Sequence, residues 1–125
     1  MFGRKNEELR INSETVDTLI GKGTEIKGTM KASGILRIEG RIEGELESTG
    51  DVIIAETGVV NAQVKARNAV IAGEVNGNIF LSGKLEIKSS GRVLGDLKVE
   101  GIIVEDGAFF EGRCEMTNRA KGVEN

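Results

Sequence analysis

The densest set of groups able to do acid–base or metal chemistry is Glu39, Glu43, Glu45 and Glu47, four carboxylates within nine residues. Carboxylates this close can share a cation or divide into a general acid and a general base. Here they alternate with apolar residues and neighbour Arg37, Arg41 and Lys31, which is the pattern of a solvated face. Cys114 is the only thiol and the chain has no histidine, so nothing draws off its proton, and it reads as a small inward-facing core residue. The segment "GKGTEIKGT" (21–29) combines glycine and lysine without phosphate-loop spacing. No catalytic, metal or cofactor-binding residue is assigned, no nucleotide site is expected, and the chain reads as a non-enzyme.

Composition narrows the remaining classes. The 125 residues carry 17 cations against 20 anions, a formal charge of −3, which argues against a nucleic-acid surface. Four phenylalanines (Phe2, Phe80, Phe109, Phe110) are the only aromatics, so the core must be thin and aliphatic. Eighteen glycines with no proline are unlike a linker or disordered tail, where proline and serine accompany glycine. A single cysteine, no secretory leader and no bilayer-length apolar run lead to the expectation of a reducing cytoplasm.

The glycines are periodic. One column runs Gly34, Gly50, Asn68, Gly83, Gly101, Asn118; a second Gly28, Gly44, Ala62, Gly77, Gly95, Gly112; a third Gly23, Gly40, Gly58, Gly73, Gly91, Gly107. Each steps by about 17 residues, and asparagine is the non-glycine residue best suited to a left-handed corner. Between columns the apolar residues alternate as in half-buried strands. After column two come Met30 and Ala32, Leu46 and Ser48, Val64 and Ala66, Ile79 and Leu81, Leu97 and Val99, Cys114 and Met116 (wall C). After column one come Leu36 and Ile38, Val52 and Ile54, Val70 and Ala72, Leu85 and Ile87, with Ile103 continuing less cleanly (wall A). Wall B holds Ile26, Ile42, Val60, Val75, Val93 and Phe109 or Phe110. Three walls and three corners make a triangular coil. Six coils stacked at about 4.8 Å predict an all-β, single-domain parallel β-solenoid about 29 Å long over residues 18–117, flanked by tails at 1–17 and 118–125.

Handedness does not follow from these residues. A six-residue beat (Leu36, Ile42, Ser48, Ile54, Val60, Ala66) matches left-handed hexapeptide acyltransferase helices, but coils of 15 and 16 residues break it. A hexapeptide-type enzyme and a monomeric docking module are therefore the alternative readings.

The pattern Φ-x-G-x-Φ in "IKGTM", "IEGEL", "VNGNI" and "VLGDL", repeated every 17 or so residues between short polar tails, resembles the bactofilins, bacterial polymer-forming cytoskeletal proteins. The resemblance covers about residues 18–116. It implies a right-handed β-helix that assembles end to end into nucleotide-independent filaments, on the inner face of the cytoplasmic membrane, as a scaffold for cell shape or for localising other proteins. The start "MFGRK" resembles the hydrophobic-then-basic tail by which members bind membrane, placing Met1, Phe2, Arg4 and Lys5 against lipid.

Assembly also has a physical rationale independent of family. The first and last coils of a solenoid expose unpaired backbone groups. Neither "NEELRINSETVD" nor "TNRAKGVEN" offers an amphipathic cap or a proline, so polymerisation is expected, the alternative being a tail folded over one edge. Symmetry allows polar or apolar filaments. The resemblance favours the apolar form, with a last-coil contact around Phe109, Phe110 and Met116 and a first-coil contact around Leu19, Ile20 and Ile26. Gly107 to Gly112 is five residues where most equivalent gaps are four, which predicts an extra residue in the last coil and at least one phenylalanine ring the core cannot absorb.

Overall fold

A computed structural model describes residues 16–117. The chain forms β1 (Thr18–Ile20), β2 (Glu25–Ala32), β3 (Leu36–Ile38), β4 (Arg41–Ser48), β5 (Asp51–Ile54), β6 (Val59–Ala66), β7 (Asn68–Ile71), β8 (Glu74–Asn76), β9 (Ile79–Leu81), β10 (Lys84–Ile87), β11 (Arg92–Leu94), β12 (Leu97–Val99), β13 (Gly101–Val104), β14 (Phe109–Glu111) and β15 (Cys114–Met116). No helix occurs among the described residues. Every strand pair is parallel and joins successive coils, so the fold is a parallel β-solenoid of six turns. Wall A is the sheet β1-β3-β5-β7-β10-β13. Wall B is the first halves of β2, β4 and β6 followed by β8, β11 and β14; wall C is their second halves followed by β9, β12 and β15.

The core is one aliphatic column. Ile38, Ile42, Val60, Val75, Ile79, Ile87, Val93 and Val99 are all fully buried, and each such side chain contributes about 1.5–3 kcal/mol. The polar exception, Ser48, is matched internally: its hydroxyl donates to Gly34 O (3.3 Å) and accepts from Gly50 N (3.1 Å).

Column two is in register throughout, from Gly28 opposite Gly44 to Gly95 beneath Gly112. Gly44 has φ +123°, and a Cβ there would strike the Gly28 carbonyl; backbone stacking on backbone leaves no room for a side chain.

The other two columns are corrected by the strand register. In wall A, Asp51 lies opposite Asn68 and Lys84 opposite Gly101, so Asn68 and Gly101 stand one residue later than the glycine spacing placed them. The inward residues of β7 are therefore Ala69 and Ile71, each 1% exposed, and not Val70 and Ala72. In β13 they are Ile102 and Val104, while Ile103 faces out. The cause is a corner one residue shorter after Ala66 and after Val99 than after Ser48 or Leu81. Of the described column-one glycines only Gly34 has a left-handed φ. Asn68 is there for its amide, which donates to Asp51 Oδ1 (3.2 Å) and accepts from Lys84 N (2.7 Å).

In column three, Arg92 pairs with Phe109 and Glu25 with Arg41. The residues stacked on Gly91 and Gly40 are thus Ala108 and Thr24, and Gly107 and Gly23 are the preceding turn residues, with φ +98° and +85°. The last coil has no extra residue between walls B and C. Coil length varies mainly at the corner between walls A and B: four-residue turns close at Gly21–Thr24, Ala55–Gly58, Lys88–Gly91 and Glu105–Ala108 through N–H to C=O bonds of 2.8–3.2 Å, while coils 2 and 4 turn more tightly at Glu39–Gly40 and Ala72–Gly73.

Candidate assembly surfaces at the two ends

β13, β14 and β15 pair only with the preceding coil, and β1 and β2 only with the following one, leaving one edge of each without a strand partner among the described residues. At the last coil the inward line continues as Ile102 and Val104 (wall A), Phe110 (wall B) and Cys114 and Met116 (wall C). One coil below, the same positions are Leu85, Ile87, Val93, Leu97 and Val99, all at most 2% exposed. In the last coil Val104 is 50% and Met116 48% exposed, Cys114 is exposed, and Ile102 and Phe110 are half-buried against the core. The side chains are of the type a seventh coil would cover.

Phe110 is the ring that continues the core, opposite Val93. Phe109 points to the outside of wall B, with the Arg92 guanidinium 4.8 Å from its centroid. The two rings therefore do not act as a unit on the end face. Cys114 holds the inward register position expected of it, opposite Leu97, but it is exposed and not a buried core residue, because no described residue stacks beyond it. Its Sγ lies 4.0 Å from Met116 Sδ, and partial burial pushes its pKa up. Ile102 and Val104 are the end-face residues that periodicity missed; the signal was the short Val99–Ile102 corner, hidden by the glycine at 101.

At the first coil Ile20 is buried, Ile26, Met30 and Ala32 are half-buried against the core, and Leu19 stands on the outside of wall A. Met1, Phe2, Arg4 and Lys5 lie outside the described residues.

The glutamates are surface groups. Glu39 accepts from Arg37 Nε at 2.9 Å and Glu43 from Arg41 Nε at 3.4 Å, while Glu45 and Glu47 are exposed. Among the described residues no cluster of three or more ligating side chains could hold a metal, and no helix is long and apolar enough to cross a membrane.

A family model described as "Bactofilin: Polymer-forming cytoskeletal" matches residues 18–115. The chain belongs to the bactofilin family. It is a structural cytoskeletal protein and not an enzyme. Bactofilin BacP of Myxococcus xanthus (strain DK1622) is 36% identical over 110 residues, covering 88% of this chain and 46% of BacP, so the chain spans about half the length of that relative. Bactofilin BacN of the same organism is 43% identical over 101 residues, covering 81% of this chain and 89% of BacN. Among solved structures, the bactofilin of Thermus thermophilus, reconstructed by cryo-electron microscopy as double helical filaments, matches with a TM-score of 0.77 and 34% identity over 80% of this chain and 99% of that one. The hexapeptide-enzyme alternative is overturned by this membership.

Proposed function

We propose that this bactofilin polymerises end to end, without nucleotide, into a scaffold lying on the inner face of the cytoplasmic membrane, where it supports cell shape or the placement of other proteins. The observation that carries the end-to-end part is the contrast between coils five and six: Ile87 and Val99 are 0% exposed, while Val104 and Met116, at the equivalent positions one step along the rod, are 50% and 48% exposed. A second copy stacked on that face supplies the missing coil, main-chain edge to main-chain edge. Edge pairing and apolar burial need no energy source, so nucleotide has no role in this reading. The membrane part is supported by the composition of the first five residues and by family resemblance.

The test is Phe110→Arg. A guanidinium on the end face must be desolvated without a partner, which costs several kcal/mol at an interface core. The variant is expected to stop at dimers or monomers in electron micrographs while keeping the parent's β-type circular dichroism. Phe109→Arg, outside wall B, is expected to leave filaments intact. Long filaments from a folded Phe110→Arg protein would overturn the last-coil contact.

A further inference from the structure

The outer face of wall A carries a charge pattern that reads the same from either end. Register places Leu19, Arg37, Ile53, Val70, Glu86 and Ile103 in one outward ladder, one per coil. Two residues on in each strand lie Gly21, Glu39, Ala55, Ala72, Lys88 and Glu105, and two residues back Asp17, Ile35, Asp51, Asn68, Lys84 and Gly101. On coil 2 the order along the strand is cation then anion, Arg37 bonded to Glu39 at 2.9 Å; on coil 5 it is anion then cation, Glu86 bonded to Lys88 at 2.9 Å. Between them coils 3 and 4 present Ile53 and Ala55, then Val70 and Ala72.

We propose that this face binds the same face of a second copy in antiparallel orientation, about a two-fold axis along the strand direction, forming the lateral contact between filament strands. That operation sets coil 1 on coil 6, 2 on 5 and 3 on 4. Arg37 then faces Glu86, Glu39 faces Lys88, Ile53 faces Val70, Leu19 faces Ile103, and no like charges meet in any of the three ladders. The long A–B corners of coils 3 and 5 fall opposite the tight corners of coils 4 and 2, and those of coils 1 and 6 meet at the extremities. The same operation on wall B sets Arg41 against Arg92, and on wall C sets Glu45 against Asp96. A parallel pairing of wall A sets Arg37 against Arg37.

Glu86 is 1% exposed, so its carboxylate acts across this contact through its charge and not by a direct hydrogen bond, while Arg37 commits only its Nε, to Glu39, of the five N–H donors a guanidinium offers. The face measures about 29 Å by 15 Å, about half of what a stable interface buries per partner. The contact is therefore weak for one pair and effective when repeated along a rod, and in that respect it rests on the end-to-end reading.

The test exchanges charges without changing composition. Arg37→Glu with Glu39→Arg keeps an ion pair on coil 2 but inverts its order, so each charge meets its like on coil 5 of the partner. Parent filaments are expected to be two-stranded, and those of the exchange single-stranded, with mass per length about half by scanning transmission electron microscopy. Adding Glu86→Lys with Lys88→Glu restores the match and is expected to restore the double strand. Single-stranded parent filaments, an exchange with unchanged mass per length, or a fourfold variant that stays single-stranded each overturn the proposal. If no filaments form, or the exchange does not fold, cysteine cross-linking decides. In a Cys114→Ser background, concentrated Arg37→Cys and Glu86→Cys proteins are mixed and treated with a short bismaleimide, whose span matches the roughly 10 Å between facing sheets that a direct disulfide cannot bridge. An interchain cross-link formed only in the mixture supports the face; none in the mixture, or equal cross-linking of either protein alone, refutes it. A failure of the end-to-end reading thus shows as absent filaments, and a failure of the lateral one as an absent mixed cross-link.

Discussion

Asn68 performs with a side chain what its neighbours do with the main chain: its amide reaches Asp51 on the coil before and the Lys84 N–H on the coil after. Removing it by Asn68→Ala leaves the Lys84 donor unmatched at a half-exposed corner, with an expected loss of about 1–2 kcal/mol in urea unfolding monitored by circular dichroism. Cys114 offers a second measurement at this scale. Its raised pKa comes from partial burial, so it holds less thiolate than a free cysteine at any pH below its own pKa. Alkylation by iodoacetamide at pH 8 is therefore expected to be slower than for a model thiol. It should slow much further in filaments if another copy covers the last coil; equal rates in filaments and in folded Phe110→Arg protein would place Cys114 outside the contact.

At the scale of strands and corners, the glycines of column two give a controlled comparison. Gly28 and Gly44 share nearly the same φ, +124° and +123°, yet a Cβ on Gly44 strikes the Gly28 carbonyl while one on Gly28 meets nothing within 4 Å. Gly28→Ala bears backbone strain alone, about 1–3 kcal/mol, and Gly44→Ala bears the same strain plus the clash. The gap between their chemical-unfolding free energies measures the tightness of coil stacking; equal losses would mean the coils yield. The same column shows why part of the fold was legible. Its residues sit where backbones stack directly, so their spacing follows the register through every coil. Columns one and three mix two causes for glycine, stacking and turn conformation, and sequence does not separate them. Hence Gly107 stood for Ala108, and Asn68 shifted the reading of β7 from Ala69 and Ile71 to Val70 and Ala72. On the candidate end face, alternation found Phe110 and Met116 but could not rank Phe110 over Phe109. Which ring turns inward depends on where the Glu105–Ala108 turn closes.

For the whole molecule, the proposed membrane attachment would follow from number more than from strength. Phe2 supplies about 2–3 kcal/mol if buried in lipid and Arg4 and Lys5 about 1 kcal/mol each beside anionic headgroups, so one copy binds at about millimolar. A filament would display many copies on one rod and, on this proposal, bind by avidity. Deleting residues 1–5 is expected to abolish co-sedimentation with anionic liposomes while leaving filaments unchanged. Equal co-sedimentation of the truncated and full-length filaments would remove the tail from the membrane reading.

Because every strand pair joins one coil to the next, the ladders that hold the rod together run along its length. A pull on the ends therefore loads walls A, B and C side by side at each coil boundary, and the boundaries one after another. Such a chain parts at its weakest boundary. Within a subunit each boundary has covalent continuity as well as its ladders; between subunits stacked as the end-to-end proposal has them, it would have non-covalent contact only. A stretched filament is thus expected to snap between subunits before any coil unravels, releasing fragments whose fresh ends are intact and able to anneal. Toughness of this kind comes from repair, with the subunit as the unit of breakage.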